Sequence, residues 1–187
     1  MIIFLVSLAF IVVSGILLFW FFLPQFFETP EYGILEKSGH FEIRVYPKML
    51  IASIQIEGER DLALRESFSY LANYISGKYR KGSKISMTVP VMQARLDHKE
   101  NWNVFFIMPK KYSLKSMPSP NTDSIKLKEL KELKVAAISF SGPWSDKNFN
   151  EKIQLLKNWL LLKKLSGPRT IMYAFYNGPT TLSFLRR

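Results

Sequence analysis

The chain offers little to a metal ion or to covalent catalysis. His40 and His98 are its only imidazoles, and it has no cysteine. The missing cysteine removes disulfides, thiolate nucleophiles and every cysteine-based zinc site. His40 stands beside Gly39 in a predicted turn, and His98 lies in the polar stretch 97–100. Both read as surface histidines, since a ligating imidazole normally has an orienting partner on its second nitrogen. No Gly-x-Ser-x-Gly, His-x-x-x-His or phosphate-binding glycine loop occurs. The carboxylates are scattered, mostly beside lysines, and read as solvated charge. These residues point away from an enzyme and toward a binding module.

Charge is the stronger signal. The formal net charge is +11, which suits an anionic partner: nucleic acid, acidic lipid headgroups or a carboxylated ligand. Plain solubility explains it as well. The basic residues are spread along the chain and no nucleic-acid-reading motif accompanies them, so no nucleic acid is expected. Anionic lipid is the easier macroscopic partner for a tethered basic domain.

Residues 1–27 carry no charged side chain. As a helix, the apolar run 1–23 would reach roughly 35 Å at about 1.5 Å per residue, enough for a bilayer core. It lacks the basic start and small-residue cleavage site of a signal peptide. The expectation is an uncleaved single-pass transmembrane anchor over 1–27 and a folded domain over 28–187. No Lys or Arg precedes the span, so the side on which the domain lies stays open.

With 48% hydrophobic residues the remainder can bury a sizeable core. Residues 28–40 read as a linker. Phe41, Ile43 and Val45 alternate with polar neighbours, as do Ala52, Ile54 and Ile56, which predicts two strands close enough for a hairpin. Leu64, Phe68, Leu71 and Ile75, with Ala72 beside them, form the apolar stripe of a helix over about 60–76, stopped by Gly77. Residues 78–84 are a basic loop with Lys78, Arg80, Lys81 and Lys84. Ile85, Met87, Val89 and Val91 alternate again, which predicts a strand carrying Pro90 at a start, edge or bulge. Residues 102–108 are apolar on both faces and should lie deep in a sheet.

The pattern then repeats. Ile125 with Leu127, and the run 135–140, predict two strands. Ser145 and Asp146 are candidate caps. Phe149, Ile153, Leu156 and Leu160 reproduce the spacing of the first helical stripe. Gly167-Pro168 should end that helix, and 171–176 is a strand. The reading is two similar β-β-α-β-β halves. The second half has only a short candidate, 181–185, for its last strand. That predicts an under-paired sheet edge near the C-terminus, guarded by Arg186 and Arg187, in a monomer.

Three ordered blocks resemble the SOUL haem-binding protein family. They are Phe41-Glu42-Ile43-Arg44-Val45-Tyr46-Pro47, the stretch Lys-Ile-Ser-Met-Thr-Val-Pro-Val beginning at Lys84, and Tyr176-Asn177-Gly178-Pro179 followed by Phe184-Leu185-Arg186-Arg187. The resemblance covers roughly 32–187. It implies an α+β fold, a distorted β-barrel flanked by two helices. It also implies a non-catalytic site for haem or a related tetrapyrrole: an apolar groove with basic groups toward the propionates. By resemblance Arg65 falls at a family arginine on the first helix, and Leu64, Phe68 and Ala72 would contact the ligand beside it. Asn73 stands where some relatives have lysine, and Ile51 stands near the place of a candidate axial histidine, so the resemblance does not extend to axial ligation. Haem is not expected to be needed for folding. The competing reading is a basic membrane-surface module that binds anionic lipid or another amphipathic ligand.

Overall fold

The computed structural model describes residues 27–96, 100–166 and 170–186, with 7, 10–12, 14 and 15. The expected anchor and His98 therefore fall almost wholly outside the described residues. Among those residues no helix is long and apolar enough to cross a membrane.

The fold is α+β, with two antiparallel sheets and two main helices. Its strands are β1 (Gly33–Ser38), β2 (Phe41–Tyr46), β3 (Met49–Glu57), β4 (Val91–Arg95), β5 (Asn101–Ile107), β6 (Lys126–Leu130), β7 (Leu133–Ile138) and β8 (Met172–Phe175). Its helices are α1 (Arg60–Ser76) and α2 (Asp146–Leu162). One sheet has the order β1-β2-β7; the other has β6-β3-β5-β4-β8. The hydrogen-bonded strands thus divide into two sheets rather than one closed ring.

Strand β5 takes the centre of the larger sheet because its apolar residues face both ways. Residues 102–108 are all buried. Val104 and Phe106 meet α1 through the main core, with Ile54, Leu71, Tyr74 and Ile85. Phe105 and Ile107 turn to the other face, with Ile51 and Ala94. Helix α2 packs on the smaller sheet, where Trp159 and Leu160 cover Ile43, and the Trp159 ring stacks on Phe41 at 5.3 Å.

Several expectations change. Residues 33–38, read as linker, form β1, because the turn at 39–40 folds them onto β2. The strand expected over 84–92 begins only at Val91. Before it the chain is irregular, and the Val89–Pro90 peptide is cis. Ile85, Thr88 and Val89 are buried all the same, and the Thr88 hydroxyl donates to the Ile107 carbonyl. Helix α2 stops at Leu162, before the expected Gly167-Pro168. After it, among the described residues, the second half contributes β8 alone, and Ser183–Leu185 is a 3-10 turn. Strand β8 pairs only with β4 and ends its sheet.

The face that α1 buries is rotated from the predicted stripe. Arg60, Ala63, Ser67, Leu71, Tyr74 and Ile75 are buried, whereas Leu64 is half-buried and Phe68 is 43% exposed. Small Ala63 and Ser67 let the helix approach the sheet closely, which tips the larger side chains toward solvent. Gly77 ends α1 in the left-handed region (φ 98°), where a β-carbon is disfavoured. Arg80 does not belong to a solvated basic loop. It is buried and donates to the carbonyls of Ile75 (3.0 Å), Ser83 (2.6 Å) and Lys81 (3.1 Å), closing the chain after α1.

Candidate functional site

Helix α1 places the four residues that the sequence nominates on one flank. Arg65 is exposed and forms no ion pair among the described residues; its i−4 neighbour Asp61 is taken by Arg60 at 2.8 Å. Leu64 packs against the main core, Phe68 meets Phe106 edge-to-face at 5.5 Å, and Ala72 is half-buried. An apolar strip with a free cation stands open on this flank. Asn73 is half-buried, and its carbonyl accepts from the backbone N–H groups of Lys78 and Tyr79. Ile51 is fully buried on β3.

His40 is exposed, and its carbonyl accepts from Ser139 N–H at 3.0 Å. No cluster of three or more His, Cys, Asp or Glu able to hold a metal occurs among the described residues.

A second concavity was not read from the sequence. A cleft of about 720 Å3 opens between β7, β8 and α2, within the usual size range of small-molecule sites. Its floor is Met92, Phe105, Ile107 and Met172 from the larger sheet. Val135, Ala136, Ala137 and Ile138 of β7 form one side, and Ile153, Leu156 and Leu160 of α2 form the other. Arg44, Lys134, Lys152, Lys157 and Arg186 line it, and no described carboxylate does. The apolar run 135–138 marks β7 as a strand, but nothing in one strand reveals that both its faces stay half-exposed. That follows from β7 and β8 each ending a different sheet.

Beside the cleft, Arg44 and Glu42 form a buried pair, with Nε donating to Oε2 at 2.7 Å. Lys37 reaches the other Glu42 oxygen at 2.9 Å. The Lys37 hydrogen bond lowers the Glu42 pKa most; burial opposes it, and Arg44 lowers it further. Burial works against the Arg44 charge, but its hydrogen bonds to Tyr46 and Glu42 outweigh that and raise its pKa above the ordinary value. Burial pushes the Tyr176 phenol up to about 12.

The sign of the Glu42 shift predicts acid sensitivity. With the folded pKa depressed, the contribution is complete above the ordinary carboxylate value. It disappears as pH falls through the folded value. The denaturation midpoints of the native chain and of Glu42→Gln should therefore converge on acidification from neutral pH. A gap that stays constant through the carboxylate range would contradict the assignment.

Comparison with known proteins agrees with the fold's sequence blocks. The family model described as SOUL heme-binding protein matches residues 27–187. Heme-binding protein 1 of Bos taurus is 32% identical over 125 residues, covering 62% of this chain and 65% of that protein. The Mus musculus protein of the same name is 31% identical over 125 residues, with the same coverage. The matched region thus spans just under two thirds of the length of these curated relatives.

Proposed function

The chain belongs to the SOUL heme-binding protein family, and from that premise we propose that it binds haem or a related tetrapyrrole as a non-catalytic carrier or buffer. The observation that carries this reading is the open flank of α1. Arg65 stands there without an ion pair among the described residues, between half-buried Leu64 and exposed Phe68, with Ala72 a turn beyond. A tetrapyrrole such as haem is a flat hydrophobe with two carboxylates. Leu64, Phe68 and Ala72 supply the apolar contact, and Arg65 supplies a charge-assisted hydrogen bond to a propionate. His40 is remote in sequence from this helix and exposed, so ligation by it is not part of the proposal.

Haem titration followed in the Soret region tests the site. Arg65→Ala should weaken binding by about 1–3 kcal/mol, the scale of one hydrogen bond to a charged group. Replacing His40 and His98 should leave the spectrum nearly unchanged. Unaltered affinity in Arg65→Ala would remove the arginine from the site, and a Soret shift lost with either histidine would assign it as an axial ligand.

The same proposal keeps residues 1–27 as a single-pass membrane anchor and the domain as a monomer. Uncharged 1–27 and the roughly 35 Å reach of 1–23 as a helix support the anchor. The chain should remain in the membrane fraction through high salt and a carbonate wash, and release of a form that starts near residue 28 would contradict this. The similar spacing of the two helical stripes, and the two helices of 17 residues each, support a common plan for the two halves as far as their helices, with three strands before the first helix and one returning strand after the second among the described residues.

A further inference from the structure

The cleft between the two sheets is polarised along its length. Strand β7 follows it from Leu133 to Ile138, five steps that extend about 17 Å at roughly 3.3 Å per residue. Toward the Leu133 end the walls are mainly aliphatic and thioether: Met49 and Leu130 are register partners, and Ile107 lies beside them; exposed Lys134 also borders this end, and Arg44, opposite Val135, is held by Glu42. At the other end, past Ile138, is an aromatic cluster. Phe140 meets Phe149 at 6.0 Å, and Trp144 meets Phe175 at 4.8 Å. Two cations rest on this cluster. The Lys152 ammonium lies 5.8 Å from the Phe140 ring centre, and the Arg186 guanidinium lies 4.6 Å from that of Trp144.

These cations differ in what they can offer. Arg186 donates Nε to Thr181 O and Nη2 to Pro179 O, both at 2.8 Å, which anchors it. Lys152 has no carboxylate partner among the described residues and keeps its donors for a ligand. A cleft with a long apolar barrel, a cationic mouth and no described carboxylate in its lining selects a long apolar chain with one anionic head. The exposed apolar surface of β7 and β8 would be covered by the chain, and the head would be held by charge-assisted hydrogen bonds.

We propose that this cleft is a binding site for a free long-chain fatty acid, with the carboxylate at Lys152 and Arg186 and the acyl chain lying along β7 toward Met49 and Leu130. The site is separate from the α1 flank and does not depend on haem binding there.

Photolabelling the full chain, held in neutral detergent, with a diazirine analogue of palmitate tests this. Label should saturate and map to peptides that contain residues 133–140 and 153–160. Palmitate should compete, and a cationic amphiphile of equal chain length should not. Lys152→Glu should cut labelling about tenfold or more, and Leu156→Trp, which adds bulk inside the barrel and keeps its charges, should abolish it. The second variant decides the matter if the first fails to fold. Arg65→Ala should leave labelling intact. Unsaturable label, label confined to α1 or the N-terminal segment, equal competition by the cationic amphiphile, or labelling that survives Leu156→Trp would each overturn the proposal. So would loss of label in Arg65→Ala, which would merge this site with the haem site.

Discussion

Replacing Arg60 with alanine is expected to destabilise the fold by about 3 kcal/mol. Arg60 starts α1 yet is only 5% exposed. Its Nε donates to Asp146 Oδ1 at 2.5 Å and its Nη2 donates to Trp144 O at 2.8 Å. Its guanidinium lies over the Phe149 ring, 4.7 Å from its centre, and 5.7 Å from the centre of the Tyr173 ring. One side chain thus joins the start of α1 to the start of α2 and to β8. Breaking a buried ion pair costs about 3–5 kcal/mol when it strands a buried charge. Here the stranded carboxylates rehydrate, since Asp146 is 69% and Asp61 46% exposed, which puts the cost at the low end. The Nη1 atom has no partner, so the native contribution is also below the maximum. Arg60→Met, which keeps the stem against Phe149, should recover roughly half. Urea denaturation compares the three chains; a loss under about 1 kcal/mol in Arg60→Ala would mean the two helices are not coupled through this residue.

Arg44→Ala should cost a similar amount, about 3 kcal/mol, for a different reason. Here the partner is buried as well: Glu42 is 7% exposed and would keep only Lys37. Arg44 also donates to the Tyr46 hydroxyl and to Ser139 Oγ, both at 3.3 Å, and lies over the Tyr32 ring at 4.4 Å. Its removal takes away a side-chain contact to Ser139 just past β7 and leaves the β2–β7 ladder in place. The partner effect can be isolated by a double-mutant cycle. Removing Glu42 and Arg44 together for leucines should cost less than Arg44→Ala alone, because no unpaired charge remains inside. A double variant worse than the sum of the singles would contradict a cost dominated by the stranded carboxylate.

Legibility in the sequence followed how far each signal acts. Alternation located β2, β3 and β6, apolar runs located β5 and β7, and period-3.6 stripes located both helices, because these patterns are local properties of the side chains. Gly77 and Ser145 marked helix ends through chemistry within one turn, and Ser145 Oγ does accept from Asn148 N–H at 3.3 Å. What stayed hidden was set by distant partners. Leu64 and Phe68 looked like core, but Ala63 and Ser67 decide which face of α1 approaches the sheet. Arg80 read as one cation of a basic loop because the Ile75 and Ser83 carbonyls that satisfy it are brought to it only by the fold. Strand β1 had no alternation to show, since nearly all of its residues are exposed.

The candidate sites divide the same way. Leu64, Arg65, Phe68 and Ala72 share one helical flank, so their spacing alone brings them together. The fatty-acid cleft draws on β7, α2, β8 and Arg186, segments that no local pattern connects. It exists because the sheets end at β7 and β8 without meeting.

Titrating the protein with haem tests the central reading most directly. A saturable Soret change at one equivalent is expected, insensitive to the His40 and His98 substitutions and weakened by Arg65→Ala. Salt-sensitive binding to anionic vesicles, with no Soret change at any haem concentration, would contradict it and favour a basic membrane-surface module.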